Sequence, residues 1–329
     1  MLSIIVAVHN QIGHNVLFLE GIRRYTTGPY EVIAVDNHST DGSAEFFETH
    51  GCRVIRNTVN LCYPESMNLG IRQASGDYVC LINNDLYVGP NWNGLLIEAM
   101  DHFSLNAVSP LGLEMMPTPA LTAWIQDRWA TIGQGRLSSG KMASQLRKMI
   151  RKMYGNWERF SSEIHHFFNA KLFDGIIGSC VMVRLSTFEK IGLLDERIQA
   201  VDWDLYYALR KREIEVGDVH RCKIVGGCYV HHFMRATLKG KPEPFNCIHP
   251  RLSIDEKWER EEQARLWFKP DDFRSPLSGY FLNHVIYRRF SKALKKIERE
   301  IERALAWRWL LVSSDRILDM YRERFKAMG

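Results

Sequence analysis

Short apolar runs alternate with longer amphipathic segments over the first 85 residues of the chain. The first and last of these runs are continuous and contain β-branched residues, which is typical of strands covered on both faces of a sheet. Strands are predicted at residues 3–8, 30–35, 53–56 and 78–82. Helices are predicted between them at residues 15–25, 44–49 and 67–74, where apolar residues recur at helical spacing. The pattern therefore predicts a repeating strand–helix order.

Polar side chains follow three of these predicted strands. They are His9 and Asn10, then Asp36 and Asn37, then Asn83, Asn84 and Asp85. An α/β sheet with alternating strands and helices binds its ligands at the carboxyl ends of its strands. A carboxylate there can ligate a hard divalent cation, which in turn can hold a diphosphate. Asn and Asp are also common turn residues, so for the last group a simple turn is an equal alternative.

Composition excludes several other classes of protein. The net charge of +5 over 329 residues is far too small a bias to indicate nucleic-acid binding. No apolar run approaches the roughly 20 residues of a membrane span, and the first residues lack the basic region and cleavage site of a signal peptide, so we expect none. The seven cysteines are scattered and odd in number, as is usual for buried thiols in a reducing compartment. We therefore expect a cytoplasmic protein.

Several motifs, taken in order, resemble those of family 2 glycosyltransferases. They occupy residues 4–10, 35–43, 68–70, 81–85, 178–184, 188–196, 201–205 and 230–237. In order and spacing they are similar to the branch that includes bacterial rhamnosyltransferases and other polysaccharide-building enzymes. The resemblance implies an α/β GT-A fold, with a mixed sheet flanked by helices. It also implies inverting transfer of a sugar from a nucleotide-diphosphate donor to a hydroxyl of a growing cell-surface glycan.

The family places its base-binding aspartate at Asp36. A carboxylate there suits the imide N–H of uracil or thymine, so the resemblance implies a UDP- or dTDP-sugar donor. Capping of the next helix is the competing interpretation of Asp36. The resemblance implies further nucleotide or substrate contacts from Val8, Asn10, Asn37, Asn68, Asn83, Asn84 and Arg184.

Asp85 matches the last aspartate of the family's Asp-X-Asp element, which ligates Mn²⁺ or Mg²⁺. The first position of that element is Asn83 here, which leaves a less anionic site. The family also has a metal-binding histidine five residues before a Ser or Thr, which fits His232 and Thr237, and His231 would point the other way along an extended strand. A rival zinc site would use Cys222, Cys228, His231 and His232, but the spacing lacks a paired Cys-x₂₋₄-Cys.

Inversion by direct displacement requires a general base within hydrogen-bond reach of the attacking hydroxyl. Residues 201–204 resemble the family's Glu-Asp-X-Asp element, in which the second residue is that base, so Asp202 is our candidate. Val201 replaces the usual acid, which removes a like charge that could raise the pKa of the base. Either Asp202 or Asp204 could instead cap the helix predicted at 205–211. We expect Asp204 to be structural or to orient the acceptor.

Two other features depart from the family pattern. Residues 115–168 interrupt the domain with aromatic and basic residues, and 144–154 is predicted to be a basic helix. This segment could frame an anionic acceptor, form a lid, face a membrane or simply be a solvated charged surface. Cys62 stands where glycine is usual, which affects the loop on the nucleotide side.

We predict a catalytic domain over residues 1–250 and a helical C-terminal extension over 251–329. Apolar residues in the extension recur at steps of four and three, at Phe290, Leu294, Ile297, Ile301 and Ala304. Basic residues occupy the other faces, and Trp307 and Trp309 follow. Such a segment could pack on the catalytic domain, form a homodimer seam, or bind an anionic membrane surface that carries a lipid-linked glycan acceptor.

Two alternative functions belong to different classes. A sugar nucleotidyltransferase shares such a sheet but needs a Gly-rich, basic loop after the first strand, which residues 9–14 do not supply. A non-catalytic glycan-binding or scaffold protein could use a decayed transferase core. The presence of Asp36, Asp85, Asp202 and His232 argues against decay.

Overall fold

The computed structural model describes residues 1–133, 142–169, 171–234 and 244–266. Within these residues a nine-stranded sheet forms the centre of the molecule. Its strands are β1 (Leu2–Val8), β2 (Tyr30–Asn37), β3 (Arg53–Asn57), β4 (Tyr78–Asn83), β5 (Leu86–Val88), β6 (Ala107–Leu111), β7 (Leu172–Asp174), β8 (Cys180–Arg184) and β9 (Lys223–His232). The four strands predicted in the N-terminal region are all present.

The strand order is β3-β2-β1-β4-β8-β6-β9-β5, and β7 pairs with β9 off this path. Strands β1 to β4 are parallel, as expected for strands joined by helices. β8 runs antiparallel to both β4 and β6, whereas β6 and β9 run parallel to each other. The sheet is therefore mixed, and the predicted fold class is confirmed.

Helices cover both faces of this sheet. They are α1 (Ile12–Tyr25), α2 (Ser43–Thr49), α3 (Tyr63–Gln73), α4 (Trp92–His102), α5 (Pro119–Gly133), α6 (Ala143–Tyr154), α7 (Trp157–Phe168), α8 (Thr187–Ile191), α9 (Val201–Glu215), α10 (Ile254–Lys257) and α11 (Arg260–Leu266). The burial of β1 on both faces of the sheet accounts for its continuous apolar run. Ile4 and Val6 belong to the core on one face of the sheet, and Ile5 belongs to the core on the other. Burial on both faces favours apolar residues at nearly every position, and the hydroxyl of Ser3, the polar residue of β1, donates to Glu31.

The predicted insertion forms the helices α5, α6 and α7. Their apolar sides join the core through Trp129, Tyr154, Trp157 and Phe160, so this segment is a packed part of the domain. The basic helix predicted at 144–154 is confirmed as α6. On its outer side Arg147 pairs with Glu20 of α1. Contact of this segment with an acceptor or a membrane stays a prediction.

One cysteine pair corrects the expectation of scattered free thiols. Cys62, directly before α3, forms a disulfide with Cys247, with their Cα atoms 5.1 Å apart. The other cysteines are free, and Cys80, Cys180, Cys222 and Cys228 are buried. The two partners are 185 residues apart in the chain, so no local spacing indicates the pairing.

Residues 251–266 pack against α9. Trp258 and Leu266 are buried in the same core as α9, and Ser253 caps α10 through the backbone N–H of Glu256. The predicted domain boundary at residue 250 stays a prediction. The amphipathic segment predicted from residue 288 onwards, with Trp307 and Trp309, lies outside the described residues, as does Thr237. In the part of the chain that the structure describes, no helix has the length and apolar character needed to cross a bilayer.

Candidate active site

The carboxyl ends of the parallel strands meet at one edge of the sheet and bring most of the predicted site residues together. In the strand register Val8 lies beside Asp36, and Ala7 lies beside Asn83. β8 begins at the same edge, because the N–H of Asn83 donates to the carbonyl of Ser179. β9 runs parallel to β6 and so ends there too, with His232 opposite Leu86.

Asp36 is buried and retains a free acceptor oxygen. Its Oδ2 atom accepts a hydrogen bond from the backbone N–H of Ser39 at 3.2 Å. Its Oδ1 atom is buried and has no hydrogen-bond partner among the described residues. Asp36 does not cap α2, since the first N–H of that helix, from Ser43, is bound by Asp41. A buried acceptor without a donor is costly unless a ligand supplies one.

The amides of Asn10 and Asn84 hold the loops around this edge. Asn10 Oδ1 accepts from the N–H of Thr40 at 2.8 Å, which ties the loop after β1 to the loop after β2. Asn84 Nδ2 donates to Asn15 Oδ1 at 2.8 Å, which ties the end of β4 to α1. The side chain of Asn83 is half-buried at the same edge. These contacts fix the backbone around the expected binding site of the nucleotide sugar.

The side chains of two predicted nucleotide contacts, Asn37 and Asn68, bind protein groups. Asn37 Oδ1 accepts from Asn57 Nδ2 at 2.7 Å and from the Ser66 hydroxyl at 2.9 Å. Asn68 Nδ2 donates to the carbonyl of Leu194 at 2.8 Å, and its Oδ1 accepts from the N–H of the same residue. Both side chains are buried and bound to protein groups. These partners hold Asn37 and Asn68 in the protein interior, and their contact with the nucleotide stays a prediction.

Asp85 and His232 face each other across the start of β5. The Asp85 Oδ1 and His232 Nε2 atoms are 3.1 Å apart, and the N–H of Phe233 donates to the carbonyl of Asp85. Burial alone would raise the pKa of Asp85, but His232 outweighs burial and lowers it. Burial alone would lower the pKa of His232, but Asp85 and Glu114 outweigh burial and raise it.

The Asp85–His232 pair fits the metal that the family implies. Adjacent ligands of an octahedral cation, with bonds of about 2.1 Å, are about 3 Å apart, which matches the separation of these two atoms. Among the residues that the structure describes, no group of three or more His, Cys, Asp or Glu side chains could hold a metal. A cation here would therefore need oxygen ligands from water or a bound diphosphate.

Glu114, just beyond β6, joins this pair and was not predicted. Its carboxylate accepts a hydrogen bond from His232 Nδ1 and a weaker one, at 3.3 Å, from the Ser179 hydroxyl. Glu114 lies between the recognised motifs, so the resemblance could not indicate it. Its position after a strand that ends at the same edge was the available signal.

His231 points away from His232, as predicted for neighbours on a strand. Its Nδ1 atom lies 2.7 Å from the Tyr154 hydroxyl, and its ring contacts Trp129 edge-on. Burial lowers the pKa of His231 well below its usual value. The rival zinc site is not formed, because Cys222 lies against Ser109 and Cys228 lies against the carbonyl of Trp92.

Asp202 is the second residue of α9 and lies against Gly178. A Cβ atom at residue 178 would be 2.6 Å from both Cβ and Cγ of Asp202, so the absent side chain makes room for the carboxylate. Burial raises the pKa of Asp202, and the backbone N–H of Trp203 offsets part of this rise. A carboxylate with a raised pKa is a stronger base, which suits general-base catalysis.

Asp204 has a structural environment. Its carboxylate accepts hydrogen bonds from Lys257 at 2.9 Å and from the indole of Trp258 at 2.8 Å, which fastens α10 to α9. Val201, which replaces the family's acid, is buried in the core beside α9. Of the two roles expected for Asp204, these contacts favour the structural one, and substrate binding by Asp204 stays a prediction.

Arg184 is not brought to this edge. It is the last residue of β8 and pairs with Tyr78, the first residue of β4, at the opposite end of the strand. Its guanidinium binds the carbonyl of Leu105 and the carboxylate of Asp101. Contact of Arg184 with the nucleotide stays a prediction, and its place at the opposite end of β8, which runs antiparallel to β4, does not support it.

Comparison with known proteins identifies the family. The family model described as Glycosyl transferase family 2 matches residues 3–192. An uncharacterised glycosyltransferase of Haemophilus influenzae is 35% identical over 86 residues, which span 26% of this chain and 29% of that protein. The aligned part is thus under a third of that curated relative.

Solved structures also resemble the chain. The mannosyltransferase PcManGT from Pyrobaculum calidifontis, in complex with GDP-Man and Mn²⁺, has a TM-score of 0.46 at 16% identity, over 70% of this chain and 56% of that chain. TarS of S. aureus has a TM-score of 0.43 at 14% identity, over 70% and 36%. The match of the family model to more than half of the chain decides the assignment: this protein belongs to glycosyltransferase family 2.

Proposed function

We propose that this enzyme is an inverting glycosyltransferase that moves a sugar from a UDP- or dTDP-sugar to a hydroxyl group of a growing cell-surface glycan. The observation that most supports this function is the meeting of Asp36, the Asp85–His232 pair and Asp202 at one edge of the sheet. The three carboxylates have different partners, and we assign them to binding the base, holding the cation and removing the acceptor proton.

Asp36 binds the base of the donor. Its buried Oδ1 atom requires a hydrogen-bond donor, and the imide N–H of uracil or thymine supplies one. Val8, Asn10, Asn83 and Asn84 supply the backbone and amide groups around the rest of the nucleotide. A buried, charge-assisted hydrogen bond of this kind contributes about 1.5–3 kcal/mol.

Asp85 and His232 would hold Mn²⁺ or Mg²⁺ next to the diphosphate of the donor. When bound, such a cation acts as a Lewis acid that stabilises negative charge on the leaving oxygen. The chain's own contribution is to hold one carboxylate oxygen and one imidazole nitrogen 3.1 Å apart, facing each other. Asn83, in place of a carboxylate, leaves this site less anionic before the diphosphate binds.

Asp202 removes the proton from the acceptor hydroxyl. The hydroxyl oxygen then attacks the anomeric carbon from the face opposite the diphosphate, which inverts the configuration at that carbon. The raised pKa of Asp202 suits this step, and Gly178 leaves room for the carboxylate. Placing the base within about 3 Å of the proton it removes contributes typically 10²- to 10⁴-fold to the rate.

The acceptor is a glycan, and we propose that it is carried on a lipid at the cytoplasmic face of a membrane. The support is the sequence of residues 288–328, in which an apolar seam, basic residues and two tryptophans coincide. This segment lies outside the described residues. A homodimer formed through the same seam is the alternative.

The test of the proposed function is a screen of nucleotide sugars by thermal unfolding, with and without Mn²⁺. A cognate donor at 100 times its Kd raises the unfolding free energy by about 2.7 kcal/mol. We expect stabilisation by a UDP- or dTDP-sugar that depends on Mn²⁺, and loss of that stabilisation in Asp36→Ala. GDP-sugars are tested in parallel to discriminate between the bases, because guanine also presents a ring N–H that Asp36 could bind.

The products formed from the donor that this screen identifies then distinguish a transferase from the two alternative functions. A transferase releases a nucleoside diphosphate, whereas a sugar nucleotidyltransferase forms pyrophosphate from a nucleoside triphosphate. A glycan-binding scaffold would bind glycan but would turn over neither the nucleotide sugar nor the nucleoside triphosphate. Stabilisation by no nucleotide sugar, with or without metal, would contradict the proposed function.

A further inference from the structure

We infer that Glu114 is a positioning residue for the metal site, fixing His232 so that its Nε2 atom is presented to the cation. This inference rests on the proposed function, since it assumes a cation held by Asp85 and His232. The carboxylate of Glu114 binds Nδ1 of His232 on one side of the ring. Nε2, on the other side, faces Asp85 Oδ1 at 3.1 Å.

The chemistry of the imidazole ring explains why a carboxylate is needed at this position. A histidine ligand binds a metal through a nitrogen that carries no proton, so its one remaining N–H must lie on the other nitrogen. A carboxylate that accepts a hydrogen bond from Nδ1 favours the proton there and leaves the lone pair on Nε2. It also orients the ring and increases its basicity as a ligand. Without Glu114, the N–H can move to Nε2 and point at Asp85, which excludes a cation between them.

The surroundings of Glu114 hold its carboxylate in place. The N–H of Gly112 donates to the carbonyl of Met115 at 3.2 Å, which closes a turn around Glu114 directly after β6. A Cβ atom at residue 112 would lie 2.7 Å from Glu114 Oε2, so glycine makes room for the side chain. The Ser179 hydroxyl donates to Oε1 from the start of β8. Three strands that end or begin at this edge therefore contribute to the arrangement.

The partners of Glu114 distinguish it from a structural carboxylate. Asp204, for comparison, is bound by Lys257 and Trp258 and fastens one helix to another. In the described part of the chain, the side-chain partners of Glu114 are the site histidine and the hydroxyl of Ser179, and neither a lysine nor an indole fastens it. Its Oε2 atom is buried and accepts no hydrogen bond in the described part of the chain. Burying this carboxylate costs desolvation free energy, which its effect on His232, orienting the ring and holding the proton on Nδ1, best explains.

The experiment measures Mn²⁺ binding directly, in the presence of saturating UDP, by titrating the paramagnetic resonance signal of free Mn²⁺. The full chain is compared with Glu114→Gln, Glu114→Ala, His232→Ala and Asp85→Asn. Glu163→Gln, in a carboxylate that pairs with Arg159 on α7, is the matched control. Pulsed measurements on the bound Mn²⁺ report whether a histidine nitrogen is coordinated, which a merely structural change would not alter.

We expect the Kd for Mn²⁺ to rise by about 10- to 100-fold in the Glu114 variants, the usual effect of removing such a partner of a metal ligand. The histidine nitrogen signal should weaken or vanish in both variants, as in His232→Ala, and remain in Glu163→Gln. Thermal unfolding without metal identifies variants that are merely unstable. Should Glu114→Ala be unstable, Glu114→Gln, which has the same shape, decides the result.

Two outcomes overturn different statements. Glu114 variants with the wild-type Kd and an intact nitrogen signal, while His232→Ala has lost both, overturn this inference and leave the metal assignment in place. Wild-type affinity for Mn²⁺ in His232→Ala and Asp85→Asn, or no binding by the unaltered enzyme, overturns the metal assignment itself.

Discussion

Gly178→Ala offers a sharp test of how Asp202 is positioned. The change adds one methyl group, and the backbone at residue 178 does not have the positive φ that would exclude alanine. The new Cβ atom would lie 2.6 Å from both Cβ and Cγ of Asp202, whereas carbon atoms in ordinary contact are about 3.5–4.0 Å apart. The carboxylate, or α9 with it, must therefore move by about 1 Å.

A displacement of about 1 Å at a reacting group costs about 10²-fold in rate, which corresponds to about 2.7 kcal/mol in the activation free energy. We therefore expect kcat to fall by about that factor. Donor binding should change little, because Asp36 and His232 lie on β2 and β9 and Asp85 lies between β4 and β5, whereas Asp202 lies on α9. The assay is steady-state release of nucleoside diphosphate, together with calorimetric titration of the donor.

Gly28→Ala is the control for general effects of adding a methyl group. Nothing lies within 4 Å of the Cβ position there, although the φ of +72° adds backbone strain. It should lower stability and leave kcat nearly unchanged. Near-normal turnover in a folded Gly178→Ala variant would refute the placement of Asp202 as the base.

Three further predictions concern the metal, the pH profile and the C-terminal segment. A chelator should abolish transfer, Mn²⁺ should restore it, and His232→Ala should lose more activity per folded molecule than His231→Ala; full activity in chelator would refute a metal-assisted reaction. Burial raises the pKa of Asp202, and the base must be deprotonated, so kcat/KM should fall as the pH decreases through a value above the ordinary aspartate pKa of about 3.9. A pH profile with its acid limb at or below that value would contradict this prediction. Anionic vesicles should bind the full chain at low salt and release it at high salt, because exposed charges are screened; no flotation at low salt would end the membrane proposal, and salt-resistant self-association would favour the dimer.

The order of strands and helices could be predicted because the central strands β1 and β4 are buried along most of their length and so form continuous apolar runs. Asp36 and Asp85 could be singled out because they stand at the ends of predicted strands and match family motifs, whereas His232 was assigned from the family resemblance alone. The direction of each strand in the sheet was harder to predict from the sequence. Arg184 was assigned to the site through the resemblance of its motif, and nothing local in the sequence indicates that β8 runs antiparallel to β4.

Contacts between distant residues account for the remaining differences. The amides of Asn37 and Asn68 are bound by protein groups from other elements, which no local pattern reveals. The disulfide joins cysteines 185 residues apart. Glu114 lies outside the recognised motifs and reaches His232 only because β6 and β9 are neighbours in the sheet.

The most direct test of the central claim is the turnover of Asp202→Asn, measured with the donor identified by the nucleotide-sugar screen. The substitution keeps the shape of the side chain and removes its capacity to accept a proton. We expect an unchanged donor Kd, unchanged thermal unfolding, and a kcat lower by roughly 10²-fold or more, with a product of inverted anomeric configuration in the unaltered enzyme. A folded Asp202→Asn enzyme that transfers sugar at a near-normal rate, or a product that retains the donor's configuration, would contradict it.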